Sequence, residues 1–211
     1  MRIRILFILL GAVAVVATFT FPLWQPLLST NPVTEDRLPG LSPELQTAFQ
    51  ILPADQQAAY LALIDTNMQM GIDLLRAALS PDQPVSEAAQ AMPELQAPVA
   101  VATGNFQQMN IIQGAEGTVT IYETPDNRKV LRFEDFRVTN GPELHVVLSA
   151  SEAPTNLEEV QLNDLDLDLG LLQGNIDSQN YEIPAETDLS LYNSVVILCR
   201  RYGMIFSTAP I

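Results

Sequence analysis

One thiol, one imidazole and a short run of carboxylates are the groups in this 211-residue chain whose types and spacing bear on chemistry. Cys199 is the only cysteine, so it cannot close an internal disulfide. A redox role there needs a partner thiol, a sulfenic acid or a bound cofactor. Val195 and Ile197 share one face of its strand with Cys199, and Val196 and Leu198 share the other. Apolar residues on both faces predict a central, buried strand and an inert thiol of raised pKa. Arg200 and Arg201 follow directly and bring positive charge if the strand ends there, so structural burial and thiolate chemistry are both open. His145 is the only histidine, which excludes a blue-copper site within one chain. Covalent haem is excluded too, because Cys-x-x-Cys-His does not occur; noncovalent haem held by His145 or by a Met is the remaining cofactor reading, and none is required by the sequence. The alternation through Leu144, Val146 and Leu148 sets His145 on the opposite, outward face. Asp164, Asp166 and Asp168 alternate with Leu as at the opening of an EF-hand loop, but Gly170 comes one place late and the terminal Glu is missing. A strand with Leu inward and Asp outward explains the same spacing, with weak calcium binding by the three Asp as the other reading.

Composition narrows the rest. Ten Lys and Arg against 25 Asp and Glu give a formal charge of −15, which removes the basic face that nucleic acid requires. From Val138 to Cys199 there is no Lys or Arg at all, so this acidic face suits a partner protein with a basic docking face, held through brief, salt-sensitive contacts, and suits solubility equally well. One histidine and no nucleophile elbow leave hydrolase triads unsupported. Met68, Met70, Met92 and Met109 offer soft sulfur for Cu(I), yet Met at helical spacing serves as core filler.

The elements that position these groups begin with Ile5 to Leu23, an uncharged apolar run long enough to span a bilayer as a helix. Arg2 and Arg4 precede it and no basic residue follows until Arg37, so residues 1–24 read as a single-pass cell-membrane anchor. The N-terminus is then cytoplasmic and the C-terminal domain extracytoplasmic. A signal peptide cleaved near Val15-Val16-Ala17 is the rival, and it exports the same body. Residues 25–42 are a Pro-rich linker, a stalk. Ser42-Pro43-Glu44 has the grammar of a helix start, predicting a short helix from Pro43 to Leu52. A second start at Pro53-Ala54-Asp55 opens a stripe of Leu61, Ile64, Met68, Ile72, Leu75 and Leu79, a helix of about seven turns if unbroken. Gly71 inside it signals a bend or a close packing contact. These stripes in residues 43–80 would be covered by one another in a hairpin, by the following domain, or by a second copy through helices 43–79. Residues 81–99 read as a second linker, with one helical turn near Ser86 to Met92.

From about Ala100 the texture changes to short alternating runs separated by Gly, Pro, Asn and Asp. Gly117–Thr124, Val130–Phe136, Leu144–Leu148, Leu167–Leu172, Tyr181–Pro184, Val195–Arg200 and Met204–Ser207 are the predicted strands. The fold class is mainly β: a C-terminal antiparallel β-sandwich or compact β-barrel over residues 100–211, preceded by a transmembrane helix and a short α-helical region.

An ordered series of motifs runs through the β region. Gly104-Asn-Phe106 is followed by LRFEDF at Leu131 to Phe136, NGPELHVVLS at Asn140 to Ser149, Leu167-Asp-Leu-Gly170 and Leu172-Gln-Gly174-Asn175. Gln179-Asn-Tyr181-Glu-Ile-Pro184, Ser194 to Cys199-Arg and Phe206-Ser-Thr-Ala209 complete it. The series resembles the DM-thirteen domain, the electron-transfer domain of Skeletor-type proteins, over about Thr103 to Ile211. That resemblance implies a β-rich, often extracytoplasmic domain with a redox role through a hallmark cysteine, the position Cys199 occupies here. Leu198 stands where many relatives carry an aromatic residue. The expectation is a membrane-anchored accessory electron-transfer or thiol redox protein using Cys199, and the alternative is a noncatalytic cell-surface binding or adhesion module using the acidic β face.

Overall fold

The computed structural model describes residues 38, 40–160 and 166–211. The anchor at 1–24, the linker as far as residue 37, and Asp164 lie outside the described residues. Among the described residues no helix is long and apolar enough to cross a membrane.

The helical region follows its capping grammar. In α1 (Pro43–Ile51) the Ser42 side chain accepts the Leu45 N–H and Pro43 takes the first position, as the sequence predicts. The expected seven-turn helix is two helices, α2 (Ala54–Thr66) and α3 (Met68–Ala78). The break is at Asn67, whose backbone turns extended (φ −149°) while its side-chain oxygen accepts the Met70 N–H at 3.1 Å. Asn has a short polar side chain able to replace a helical hydrogen bond, so it caps the new helix instead of continuing the old one. Gly71 then lets α3 fold back on α2, because a Cβ there would lie 2.5 Å from Ile64 Cγ1. Restarting the helix resets its phase. Met68 falls out of the stripe at 53% exposed, and Leu74 joins Ile64, Ile72 and Leu75 in the buried set.

The β region forms two four-stranded antiparallel sheets, ordered β1 (Val99–Asn105), β2 (Ala115–Glu123), β3 (Lys129–Val138), β6 (Gln179–Ile183) in one and β5 (Leu167–Leu171), β4 (Leu144–Ser149), β7 (Ser194–Cys199), β8 (Met204–Pro210) in the other. This is the expected sandwich; β1 is a strand that the motif Gly104-Asn-Phe106 marks without showing its extent. The sheets meet along one edge, where Gln107 N–H donates to Thr208 O at 3.0 Å. β7 is central, with all six residues buried, as its two apolar faces predict. Its outer face is roofed: Val147, Val196, Leu198 and Ile205 form a cluster with Val160, and Met109 packs against it. Leu198, in the place of an expected aromatic, is thus core. β5 keeps the Leu-in, Asp-out alternation at Leu167 and Asp168, opposite Leu148 and Val147, and loses it at a register shift that sets Leu171 opposite His145, where it is exposed.

β3 also departs from simple alternation. Glu116 pairs with Arg137 but Thr118 with Glu134, so Gly117 alone faces Asp135 and Phe136 in a β-bulge, with φ of +107° at Gly117 and +50° at Asp135. The extra residue turns Phe136 onto the same side as Phe133, which regular alternation would place opposite. The two rings sit 4.8 Å apart and both touch Phe106, at 4.8 and 5.0 Å. These rings are the centre of the core.

Leu41–Ile211 form one compact unit, so the helices pack with the sandwich rather than standing apart. The residues between them, read as a linker, are a strap. Pro84 bridges Ile176 in parallel, Gln83 N–H donates to Asn175 Oδ1 at 2.5 Å, and Asn180 Nδ2 donates to Ala89 O and Ala91 O at 2.8 and 2.9 Å. Within it α4 (Glu87–Gln90) is the predicted single turn.

Candidate functional site

Two turns build the surroundings of Cys199. The first, Asn140 to Glu143, leads into β4; Asn140 Nδ2 donates to Ser80 O at 3.2 Å and ties the turn to the end of the helical region. Glu143 takes a left-handed backbone, φ +57°, and its carbonyl accepts the Arg200 N–H at 3.1 Å. The second turn, Arg200 to Gly203, joins β7 to β8.

Between these turns the sulfur of Cys199 is 0% exposed, and its S–H donates to Pro142 O at 2.9 Å. Burial pushes the thiol pKa above its ordinary value; the backbone N–H groups of Tyr202 and Arg201 favour the thiolate, the Glu143 carboxylate opposes it, and the net shift is upward. The resting group is therefore a protonated thiol, hydrogen-bonded and withheld from reagents.

The side chains of the second turn are clamped on two sides. Arg200 Nη1 reaches Asp168 Oδ2 at 2.7 Å. On the other side Tyr202 O–H donates to Asp73 Oδ2 on α3 at 2.7 Å, and Arg201 lies between Asp73 Oδ2 at 3.7 Å and Glu143 Oε2 at 3.6 Å. Asp73 also accepts from Gln69 Nε2 at 2.9 Å and Arg76 Nη1 at 3.1 Å. The Tyr202 hydrogen bond, joined by Gln69 and the two guanidinium groups, holds its carboxyl below the usual carboxylate value in spite of burial. Burial and the Asp73 contact raise the Tyr202 phenol in turn.

The other sequence candidates are placed elsewhere. Leu144 pairs with Cys199 and His145 with Leu198, and directly paired residues share a face, so Cys199 and His145 lie on opposite faces of the sheet. The structure does not bring them together. His145 Nδ1 sits 3.0 Å from Asp168, its side chain 12% exposed: it is on the predicted outer face but pinned there instead of pointing into solvent. As the haem candidate it offers a ring whose Nδ1 is held by a carboxylate, an arrangement common for ligating His, yet the sole thiol is directed away from it. Asp168 is fully engaged by His145, Arg200 and the Gly170 N–H at 2.8 Å. Asp166 accepts from Ala150 N–H and the Ser149 hydroxyl at 2.9 and 3.2 Å. These two carboxylates thus hold protein donors, and Asp164 lies outside the described residues. Among the described residues no group of three or more His, Cys, Asp or Glu is placed to hold a metal ion.

Sequence reasoning missed Pro142, Glu143, Asp73 and Tyr202. One signal was present: Arg200 and Arg201 end a long stretch without cations, so each must find carboxylates nearby. Which carboxylates could not be read, because Asp73 comes from a helix more than a hundred residues upstream. In comparison with known proteins, the family model for Electron transfer DM13 matches residues 105–211. No curated protein and no solved structure gives a match.

Proposed function

Because the chain belongs to the electron transfer DM13 family through residues 105–211, we propose that it is a membrane-anchored, extracytoplasmic redox accessory protein in which Cys199 is the exchanging thiol. The observation that carries this reading is the setting of the sole thiol: at the end of the central strand, its S–H on Pro142 O, beneath a turn that carries two arginines. Stored as S–H it is protected; when the turn opens, hydration removes the burial penalty and Arg201, whose charge favours the thiolate, stands beside the anion that forms.

A lone thiol exchanges only with partners. The Cys199 thiolate attacks one sulfur of a partner disulfide, the other partner sulfur leaves as a thiolate, and a mixed disulfide joins the two proteins. A second partner's thiolate then attacks that mixed disulfide at the partner sulfur, and Cys199 is released as a thiolate that takes up a proton. No electrons are gained or lost by Cys199 over the cycle. The partner's docking face is basic, matching the carboxylate-rich, cation-free run before Arg200. Arg2 and Arg4 ahead of the apolar run at 5–24 support the cytoplasmic N-terminus.

The test is made on the full chain in membranes of an exporting host. After incubation with an oxidised dithiol and acid quenching, a mixed disulfide at Cys199 is expected by mass spectrometry, and Cys199→Ser abolishes both the adduct and redox exchange. Unchanged redox activity in Cys199→Ser overturns the reading. So does a visible absorption band that shifts on reduction and survives the substitution, which moves the redox centre to a bound group.

A further inference from the structure

We propose that the helical region is a cap over the electron-transfer domain, and that Asp73 is the latch through which it controls access to Cys199. The proposal gives the thiol reading its regulation and rests on that reading for its purpose, while its test measures access alone. The helices lie outside the family match at 105–211, yet they belong to the same compact unit. Their polar ties to it gather at the two turns that enclose the sulfur. Arg201 and Tyr202 place their backbone N–H groups beside Cys199 and send their side chains to Asp73 of α3.

A reagent reaches a sulfur that is 0% exposed only if one of the two turns around it moves, and this one carries the tie to Asp73. The turn cannot swing outward while the Tyr202 hydroxyl is held at 2.7 Å by a carboxylate that is itself braced by Gln69 and Arg76. Asp73 is a side chain 12% exposed on an otherwise apolar stretch, between the buried Ile72 and Leu74, so the helix carries it into the seam with the domain. Asn140 adds a second tie from the neighbouring turn to Ser80 O, at the end of the same helical region. A partner that drew the helices away would release both turns that bound the thiol in one movement.

The chain has one cysteine, so alkylation reports on Cys199 without ambiguity. The full chain in detergent micelles is labelled with iodoacetamide at pH 8 in native buffer, alongside Asp73→Asn, which removes the charge but keeps the shape, and Tyr202→Phe, which removes only the hydroxyl. Both variants are expected to label roughly tenfold faster than the parent, the scale of one charge-assisted hydrogen bond lost from a partly exposed site. Loss of the same bond lowers their urea midpoints, read by far-ultraviolet circular dichroism, by only the corresponding small amount, and their labelling rates stay nearly flat when urea is added well below the midpoint, because opening one turn exposes little surface. Parental labelling rates in both variants overturn the proposal. A labelling rate that climbs with added urea along the slope of global unfolding overturns it as well, since access then comes from general unfolding. Neither result depends on whether Cys199 exchanges disulfides, so the cap can fail while the redox reading stands, and the reverse.

Discussion

A thiol whose proton is given to a carbonyl 2.9 Å away, with its sulfur shut from water, titrates late. The pH profile of Cys199 alkylation in the native protein is expected to have its midpoint above that of the urea-unfolded chain, because burial penalises the thiolate more than the neighbouring amides favour it. A native midpoint at or below the unfolded one would show the thiolate to be the resting form. The position of Cys199 was legible in the sequence, since apolar residues on both faces of Val195 to Cys199 leave only a central strand. Its acceptor was not, because the Pro142 carbonyl is a backbone atom and every residue has one. His145 was half legible: alternation gives its face, but not that Asp168 would draw the ring back against the sheet. Asp166 and Asp168 were read as candidate ligands or an outward row. Their role as acceptors for Ser149, Ala150, His145 and Arg200 depends on β4 and β7 lying alongside, which is a matter of pairing rather than of local sequence.

Elements show the same division between local grammar and tertiary choice. The start of α1 was readable from Ser42 and Pro43 because capping is a local event. The break at Asn67 was not, since the apolar spacing runs on through Met68, and the Asn67 cap wins over a continuous helix only with the packing of Gly71 on Ile64. The bulge in β3 was equally hidden, though Gly117 is the residue that permits it. Gly117→Ala places a Cβ 2.7 Å from the carbonyl oxygens of Glu134 and Asp135 on a backbone at φ +107°. A loss of about 2–3 kcal/mol is expected, a fall of roughly 4–12 °C in Tm. A melting curve within a degree of the parent would mean that the bulge is not needed to bring Phe133 and Phe136 together. Phe133→Ala, which empties the middle of the ring cluster, is expected to lose about 3–5 kcal/mol by urea denaturation. A loss below about 1 kcal/mol would place the centre of the core elsewhere.

For the molecule as a whole, the groups that resist ionisation set an alkaline limit. Burial pushes Tyr60 up to about 12, raises Tyr181 further, and raises Cys199. Each keeps its proton to higher pH in the folded chain than in the unfolded one. The stability they contribute is therefore complete below the unfolded values, near 9 for the thiol and 10 for the phenols, and is lost as pH rises toward the folded ones. The urea midpoint is expected to hold from pH 7 to 8.5 and to fall steadily between pH 9.5 and 12. A flat profile across that window would show that water reaches these side chains in the native state. The overall division into helices and a mainly β domain was plain from periodicity, whereas the seating of the helices against the domain followed from no local pattern: Asp73, Ser80 and Gln83 meet residues far along the chain.

The strap has a consequence in time. Gln83 meets Asn175 across 92 residues, and Asn180 meets Ala89 of the strap across 91. Closing so long a loop is slow and gains nothing until β3 and β6 have paired to receive it. The α2–α3 hairpin, by contrast, closes within a few tens of residues and waits preformed. Its seating is then expected late in folding, leaving an interval in which the sandwich is complete while the turn over its single thiol still lacks the tie to Asp73.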